Sequence, residues 1–209
     1  MRVLAFNVRG FDADVSRVAA VIRATDPDAA LLAEVRRRPA RRLAAMTRRH
    51  LAFGATLRLR RFGNAVLLRE RPQSVRRVML SRTRGLEPRG AVIAVAADGT
   101  ACVATHLGLS ATAREHDARE LLRALEGISP VVVGGDMNDR PGGPATRLLA
   151  ERFNDAFAAA GEGRGETYPA SAPLYRIDYV FCSRDRTPVR ASVVPIVASD
   201  HLAVVAEIA

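Results

Sequence analysis

The apolar run Pro130-Val131-Val132-Val133 constrains the fold most, because it is rich in β-branched residues and has no polar alternation. Such a run predicts a strand that is covered on both faces, and therefore a layered protein built around a sheet. The segment Gly135-Asp136-Met137-Asn138 follows directly. Side chains two residues apart point the same way from a strand, so Asp136 and Asn138 can face one cleft together.

This pair of polar residues has two interpretations. A carboxylate that can hold or deprotonate water, beside an amide that can donate to a phosphoryl oxygen, suits the hydrolysis of a phosphate ester. The same residues, followed by Arg140-Pro141-Gly142-Gly143, are also typical of a plain turn. The choice between the two depends on what the other strands contribute.

Five other apolar segments carry polar residues at or near an end, which favours a shared site. They offer carboxylates, an amide and imidazoles, the groups that a metal site and acid–base catalysis require. The residues are Asn7, Glu34, His106, Asp178, and the pair Asp200 and His201.

The order of these motifs resembles the endonuclease/exonuclease/phosphatase superfamily of metal-dependent phosphoesterases, which includes DNase I. Each motif is common alone, but seven in order over the whole chain form a specific pattern. They are Asn7 in Asn-Val-Arg-Gly, Glu34 in Leu-Leu-Ala-Glu, the segment 63–69, Thr105-His106-Leu107, Gly135-Asp136-Met137-Asn138, Ile177-Asp178-Tyr179 and Ser199-Asp200-His201. The resemblance implies an α+β fold of the α/β-sandwich type, in which two packed mixed β-sheets are flanked by helices in the four-layer DNase I-like architecture.

Two positions depart from the family pattern. Arg9 occupies the place where abasic-site endonucleases carry a second acidic metal ligand. This departure argues against a first metal site with two carboxylates of their kind. Asp117 replaces the usual glutamine in the helix after Thr105-His106-Leu107, and the sequence gives no account of that change.

The resemblance also implies a metal cofactor, Mg²⁺, for which Mn²⁺ can substitute. A hard cation that keeps several waters needs only one or two carboxylates from the protein. Glu34 is the expected first ligand, and Asn7 and Asp200 are expected as second ligands, directly or through water. On local sequence alone, Glu34 could be the first exposed residue after a strand, and Asn7 could support a turn before Gly10.

Catalytic roles follow from the same resemblance. Asp136 would orient or deprotonate the attacking water, and Asn138 would donate to the phosphoryl group. Asp178 would pair with His201, fix its tautomer and raise its pKa, so that the imidazole stabilises charge on the phosphorane. Whether Asp136 or His201 takes the proton is left open by the sequence.

Two further residues have expected roles beside these. His106 would contact the phosphate or act as a general acid, although a single histidine after an apolar strand is more often structural. Asn64, in the Gly-Asn-Ala part of segment 63–69, is expected to bound the substrate pocket.

The charge of the chain favours a polyanionic substrate without identifying one. All 32 basic residues are arginine, and the net charge is +10 with a pI near 11.2. A basic protein of this kind favours nucleic acid as a partner, but an alanine- and arginine-rich composition also fits GC-rich codon usage. Aromatic residues make up only 5% and tryptophan is absent, so a sequence-reading single-strand binder is not expected.

Length and pattern predict a single domain over residues 1–209 with short loops. Cys102 and Cys182 lie in apolar strands, where free cysteines are expected as small core residues. No signal-peptide pattern and no apolar stretch long enough to span a bilayer is visible. We therefore expect a cytoplasmic monomer without a membrane anchor.

Periodicity predicts three helices, and a further helix is expected around Leu148 and Leu149. The first spans 14–25 with Asp12 or Asp14 as its N-cap, and the second spans 39–49 with an arginine-rich outer face. The third follows a capping box formed by Thr112 and Glu115. Residues 51–97 are strand-like, including the alternating segment 57–60.

Three functions are compatible with these residues. The favoured one is a Mg²⁺-dependent phosphodiesterase or nuclease that hydrolyses nucleic acid with an activated water. A second is a phosphodiesterase or phosphatase acting on phospholipid headgroups or small phosphate esters. A third, a catalytically silent nucleic-acid-binding module, is disfavoured because Glu34, Asp136, Asn138, Asp178 and His201 are all present.

Overall fold

The computed structural model describes residues 1–11, 14–57, 62–80 and 88–209. Asp12, one of the two expected N-caps, and the expected alternating residues 58–60 lie outside the described residues. Within the described ranges, the chain forms two six-stranded sheets and five α-helices.

The first sheet is built around a parallel pair of strands. Numbered in chain order, its members are β1 (Arg2–Asn7), β2 (Ala29–Arg36), β3 (His50–Leu57), β4 (Phe62–Leu68), β11 (Pro188–Val193) and β12 (Val204–Ile208). Their spatial order is β11-β12-β1-β2-β4-β3. The pair β1 and β2 is parallel and the other neighbours are antiparallel, so the sheet is mixed.

The second sheet repeats this plan. Its members are β5 (Ser74–Met79), β6 (Gly90–Val95), β7 (Ala101–His106), β8 (Val131–Asp136), β9 (Phe153–Asp155) and β10 (Asp178–Ser183). They follow the order β5-β6-β7-β8-β10-β9, and β7 and β8 form the parallel pair. The two sheets pack face to face, with β1 against β8 and β2 against β7.

Helices cover the outer face of each sheet. The helices α1 (Val15–Thr25) and α2 (Arg37–Thr47) pack on the first sheet. The helices α3 (Ala111–Ala124) and α4 (Pro144–Arg152) pack on the second, and the short α5 (Ala156–Ala160) lies against β10 and β11. The resulting order of helix, sheet, sheet and helix confirms the expected DNase I-like four-layer architecture.

The two-residue period of a strand decides which side chains face the other sheet. In β1, Leu4 and Phe6 pack against α1 and α2, whereas Val3 and Ala5 pack against the second sheet. Asn7 continues the inward series of Val3 and Ala5. The polar end of the strand is therefore directed into the space between the sheets.

Small side chains set the distance between the sheets. Alanine and valine dominate the facing layer, and Gly134 of β8 lies within it. A Cβ atom added at Gly134 would lie 2.8 Å from Leu31 Cδ1, 3.0 Å from Ala5 Cβ and 3.2 Å from the Tyr179 carbonyl oxygen. Any side chain here would push β8 away from β1, because close-packed interiors do not absorb such overlaps.

The helix starts differ in detail from the sequence expectations. Asp14 caps α1 as expected and accepts a hydrogen bond from the Ser16 amide. The prediction that Thr112 opens a capping box for α3 is wrong. The N-cap is Ser110, two residues before Thr112, because its hydroxyl oxygen accepts a hydrogen bond from the amide of Ala113.

The buried cysteines match their prediction. Cys102 and Cys182 are free and lie in the layer between the sheets, where burial raises the pKa of both thiols. In the part of the chain that the structure describes, the helices are too short or too polar to cross a lipid bilayer.

The spacing role of Gly134 can be tested by substitution. We expect Gly134→Val to lower the free energy of unfolding by about 3 kcal/mol or more, since overpacking alone costs about 1–3 kcal/mol for smaller insertions. Gly127→Ala is the matched control, because a Cβ there meets no atom within 4 Å and adds only the cost of a positive φ. Urea denaturation measures both, and equal losses would contradict the spacing argument.

Candidate active site

Four polar side chains meet where the strands of the facing layer end. His106 and Asp136 are the last residues of the parallel strands β7 and β8, and they are neighbours in the ladder. Asp178 is the first residue of β10 and pairs directly with Asp136. With Asn7 from β1 they occupy one end of the inter-sheet space, as expected, and all four are buried.

Glu34 reaches the same place through an irregularity in β2. The sequence predicts a strand that ends at Glu34, but β2 continues to Arg36. Its pairing with β4 shifts between Leu32 and Val35, and Glu34 has a positive φ of 55°. A bulge of this kind re-aims a side chain, and here it directs Glu34 toward Asn7 at the strand ends.

Asn7 connects two carboxylates. Its Nδ2 donates to Glu34 Oε1 at 3.1 Å and to Asp136 Oδ2 at 2.9 Å, while its Oδ1 accepts from the Arg9 amide at 3.0 Å. Burial raises the pKa of Glu34, Asn7 partly opposes this, and the charge of Asp136 raises it further. Burial likewise raises the pKa of Asp136.

Among the described residues, two groups of three side chains have the geometry to hold a metal ion. They are Glu34, His106 and Asp136, and the overlapping group Asp136, Asp178 and His201. The first group fits a hard divalent cation better, because Glu34 is a partly exposed carboxylate whose ionised form is disfavoured by burial and by the charge of Asp136, so a cation would stabilise it. His106 is not an oxygen ligand, and its nitrogens already have other partners.

His106 lies beside an arginine that the sequence analysis did not single out. Arg89 Nη1 donates to His106 Nδ1 at 3.1 Å, so a neutral ring carries its proton on Nε2. Nε2 lies 2.9 Å from Asn138 Nδ2 and 3.5 Å from Asp136 Oδ2, and of these only Asp136 can accept the proton. Burial lowers the pKa of His106 to about 4, with Arg89 adding to the effect against the charge of Asp136.

Asn138 is held by the backbone around it. Its amide nitrogen donates to Asp136 Oδ1 at 2.8 Å, and its Nδ2 donates to the Leu107 carbonyl at 2.9 Å. The residue has a positive φ of 50°, which asparagine tolerates better than most residues. Asp136 and Asn138 therefore belong to one hydrogen-bonded turn, as the turn interpretation of their sequence expects, and their catalytic roles stay predictions.

His201 has the opposite electrostatic environment from His106. Its Nδ1 donates to Asp178 Oδ2 at 2.8 Å, and its Nε2 lies 3.7 Å from Asp136 Oδ2. Burial alone would lower its pKa, but the charge and hydrogen bond of Asp178 outweigh burial and raise the pKa to about 9. The ring of Tyr168 packs on His201 at a centroid distance of 4.7 Å.

Thr167 is a second supporting residue that the sequence did not reveal. Its hydroxyl donates to Asp178 Oδ2 at 2.6 Å, and the same oxygen accepts a hydrogen bond from His201 Nδ1. Thr167 is fully buried. Nothing in the local sequence Glu-Thr-Tyr-Pro signals this role, and Arg89 is one of 32 arginines, so neither residue was recognisable before the fold was known.

The remaining expected site residues lie at the margins. Asp200 Oδ2 is 3.3 Å from Arg9 Nη1, so this arginine partly neutralises the expected ligand. Asn64 is buried in the facing layer and donates to the Gly90 carbonyl at 2.6 Å, a contact that ties the sheets together. Their roles toward metal and substrate stay predictions.

Asp117 acquires an explanation from the fold. Its Oδ2 accepts from the Gly108 amide at 2.9 Å and so fixes the turn that follows His106. Burial raises its pKa to about 6, with the Gly108 hydrogen bond opposing the shift. An acceptor oxygen is what this position requires, and a carboxylate supplies it as well as an amide.

Comparison with known proteins agrees with this geometry. The model of the "Endonuclease/Exonuclease/phosphatase family" matches residues 4–201. A search of curated proteins finds no match. Solved structures with the same fold include a functionally unknown conserved protein from Enterococcus faecalis V583, which is 23% identical with a TM-score of 0.88 and covers 100% of this chain and 99% of its own.

Two other structures of the same fold have more specific names. The mannosyl-6-phosphatase Bt3783 from Bacteroides thetaiotaomicron VPI-5482 is 15% identical, with a TM-score of 0.86 and coverage of 100% and 99%. D. rerio TDP2 complexed with a single-strand DNA product is 17% identical, with a TM-score of 0.83 and coverage of 100% and 98%. At these identities the likeness establishes the fold alone.

The pairing of Asp178 with His201 predicts a pH effect in metal-free protein. By NMR, the His201 ring should titrate near pH 9, and in Asp178→Asn its midpoint should fall to the ordinary value of about 6.5 or below. Because the folded pKa is raised, the pair contributes stability below pH 6.5 and loses it as the pH rises through 9. The contribution is up to about 3 kcal/mol.

Thermal melts of wild type and Asp178→Asn over pH 6–10 give a second measurement of the same effect. The difference between the two proteins should shrink steadily across this range. A wild-type His201 that titrates near 6.5, or a constant difference in melting temperature, would contradict the ion pair.

Proposed function

Because this chain belongs to the endonuclease/exonuclease/phosphatase family, whose members hydrolyse phosphoester bonds, we propose that it is a Mg²⁺-dependent phosphodiesterase that acts on nucleic acid. The single observation that carries the proposal is the cluster of Asn7, Glu34, Asp136 and His201 at one end of the sheets. It combines incompletely compensated carboxylates with a charged imidazole.

Glu34 would hold the metal ion, with Asn7 and Asp200 beside it. The fit rests on the donor chemistry of carboxylate oxygens, of which Glu34 is partly exposed. Burial raises the pKa values of Glu34 and Asp136, and the charge of Asp136 on Glu34 and of Asp178 on Asp136 raises them further. When bound, the ion supplies Lewis-acid polarisation of the phosphoryl oxygen and charge neutralisation. Mn²⁺ offers the same ligand preferences, so it is expected to substitute.

The protonation states favour Asp136 as the proton acceptor. With a pKa near 9, His201 is already an imidazolium at neutral pH and cannot take a proton from water. Its charge is suited to stabilise the negative charge that develops on the phosphorane. Burial raises the basicity of Asp136, and Asn7 and the Asn138 amide orient its two oxygens, so a water beside it can be deprotonated as it attacks.

The neutral state of His106 limits its role. With Arg89 donating to Nδ1, the ring can offer only the Nε2 proton, and a pKa near 4 makes it a weak carrier of positive charge. We therefore assign His106 as a hydrogen-bond donor toward the reacting phosphate, together with Asn138. This assignment prefers the phosphate contact over the general acid among the roles that the resemblance implies.

The basic surface beside Glu34 supports nucleic acid as the substrate. Helix α2 begins one residue after β2 ends, and its first turn contains Arg37 and Arg38 but no acidic residue and no side-chain cap. Cations at a helix N-terminus oppose the helix dipole, so this arrangement costs stability unless an anion binds there. Arg36 lies against the turn at Gly10, next to Arg9, which extends the positive surface toward the cleft.

Loss of the Glu34 charge tests the metal site. We expect Glu34→Gln to reduce Mg²⁺-dependent hydrolysis by more than about 100-fold, since even outer partners of metal ligands cost about 10- to 100-fold. The melting temperature in EDTA should be unchanged or slightly higher, because the repulsion between Glu34 and Asp136 is relieved. The rise in melting temperature that Mg²⁺ gives the wild type should disappear.

Glu70→Gln is the matched control for this experiment, because Glu70 is exposed and lies at the opposite end of the sheets. It should retain both hydrolysis and the Mg²⁺-induced rise in melting temperature. Full turnover by Glu34→Gln would remove Glu34 as the essential ligand.

Salt dependence tests the substrate class. If phosphates of duplex DNA pair with the arginines near Glu34, log affinity should fall with log salt by about 0.9 per contact. A triple substitution of Arg37, Arg38 and Arg41 by glutamine should make this slope shallower, whereas Arg123→Gln, at the far end of α3, should not. Hydrolysis of a small chromogenic phosphodiester should depend weakly on salt in all three proteins.

A flat salt response for DNA and RNA, with rapid turnover of a small ester, would contradict nucleic acid as the substrate. The protein would then be a phosphodiesterase or phosphatase of small molecules, and its arginine content would reflect composition.

A further inference from the structure

A cleft of about 340 Å³ lies beside the active site and has no role in the reaction described above. Its walls include Arg140, Phe157, Leu174, Tyr175 and Arg176. Two of these residues are aromatic, although the chain as a whole contains few aromatic side chains. The cleft therefore places ring surface beside two guanidinium groups, and its lining also includes the carboxylate of Glu166, which pairs with Arg164.

The cleft is rigidly joined to the catalytic residues. Arg140 follows Asn138 by two residues. The hydroxyl oxygen of Tyr179 lies 3.0 Å from the Asp139 carbonyl oxygen and 3.2 Å from the Arg176 carbonyl oxygen, so it lies within hydrogen-bond distance of both walls. The Tyr175 carbonyl accepts from the Thr167 amide at 2.8 Å. The Thr167 hydroxyl donates to Asp178, so Thr167 contacts both this wall of the cleft and the active-site cluster.

The two arginines of the cleft differ in how they are compensated. Arg176 forms an ion pair with Asp155 through two hydrogen bonds of 2.7 and 3.0 Å, and its guanidinium packs over Tyr179 and Phe157. Arg140 is exposed, and its Cζ lies 4.1 Å from the centroid of the Tyr175 ring. Among the described residues no carboxylate pairs with Arg140.

A flat guanidinium on a tyrosine ring is a stacking surface for a planar ring. Nucleobases stack on aromatic rings and on arginine planes, and every base has a π-face, so such a contact needs no particular sequence. Leu174, which is 62% exposed, adds an apolar edge.

We propose that this cleft, bounded by Arg140, Leu174 and Tyr175, binds the nucleoside that carries the scissile phosphate, an inference that rests on the proposed phosphodiesterase function. The base stacks on the Arg140–Tyr175 pair, and the phosphate then lies between Asn138 and His201. This subsite stacks a single base. A sequence-reading single-strand binder would need a row of aromatic residues, so the proposal agrees with the low aromatic content of the chain.

The test compares two substrates that differ only in the base. One is the p-nitrophenyl ester of thymidine 5′-phosphate, and the other is the same ester of 1,2-dideoxyribose 5-phosphate. In each, water attacks phosphorus and the bond between phosphorus and the nitrophenyl oxygen breaks. The p-nitrophenolate leaves, and the phosphate stays on the sugar. With Mg²⁺ or Mn²⁺, the wild type should show a kcat/KM about tenfold higher for the thymidine ester, the size expected for one stacked base.

Substitutions in the cleft should remove this preference and nothing else. Tyr175→Leu and Arg140→Gln should bring the ratio of the two kcat/KM values close to one, with unchanged hydrolysis of the ester that lacks a base. Tyr175→Phe keeps the ring and should keep the ratio. Arg147→Gln is the matched control, since Arg147 is an exposed arginine of α4 that bonds to the Gly142 carbonyl.

Each alternative result is decisive. A wild type that hydrolyses both esters equally, or a preference that persists in Tyr175→Leu and Arg140→Gln, would overturn the subsite while leaving the hydrolase intact. Equal losses on both esters would show that the cleft positions catalytic residues instead. No turnover of either ester by the wild type would overturn the proposed phosphodiesterase and the subsite with it. Arg140 is exposed, so Arg140→Gln should fold even if Tyr175→Leu does not.

Discussion

The structure depends on two carboxylates placed directly opposite one another. Asp136 and Asp178 are paired residues of adjacent antiparallel strands, and both are almost completely buried. Like charges in such a position destabilise a sheet, and a buried charge without compensation costs several kcal/mol. His201 lies between them, Thr167 donates to one and Asn7 to the other. Elements distant in the sequence are thereby fixed at one end of the sheets.

This arrangement explains why two histidines in one cluster have opposite character. What faces each Nδ1 atom decides the outcome: a carboxylate faces His201, and a guanidinium faces His106. Burial acts to lower the pKa of both rings. At His201 the charge of Asp178 outweighs burial and the pKa rises, whereas at His106 burial prevails and the pKa falls. Sites that separate pKa values in this way can supply a cation and a neutral donor at the same pH.

The sequence predicted those parts of the site that follow from strand periodicity. Apolar runs ending in polar residues placed Asn7, His106 and Asp136 at strand ends, and the two-residue period directs such residues to one face. Glu34 was assigned to the site, but its strand was predicted to end at Glu34, whereas β2 continues to Arg36. Its orientation comes from a bulge, which exists only in relation to the register of β4 and so cannot be deduced from β2 alone.

Supporting residues were harder to predict for a related reason. Arg89 and Thr167 act through partners 17 and 11 residues away, which only the folded sheets bring within hydrogen-bond distance. Arginine is the commonest basic residue of this chain and threonine is common in loops, so neither type carries local information. The resemblance to a family supplied the order of the motifs, and the fold supplied the contacts behind them.

The two ends of the sheets show how the chain distributes its charges. At the end away from the site, clefts of about 270 and 430 Å³ are lined by Asp28, Arg69 and neighbouring residues. Arg69 bonds to both Asp26 and Asp28, and despite the partial burial of Asp28 the pKa values of both carboxylates are lowered. These carboxylates are stabilised as anions and need no further cation.

At the site end, the pKa values of Glu34 and Asp136 are raised, so their ionised forms cost stability in the folded chain. Protonation or a bound cation relieves this cost, and only the cation does so while the carboxylates stay ionised. The clefts at the far end therefore lie where the charges are already balanced. The proposed metal site lies at the other end, where the fold leaves the negative charge of Glu34 and Asp136 incompletely compensated.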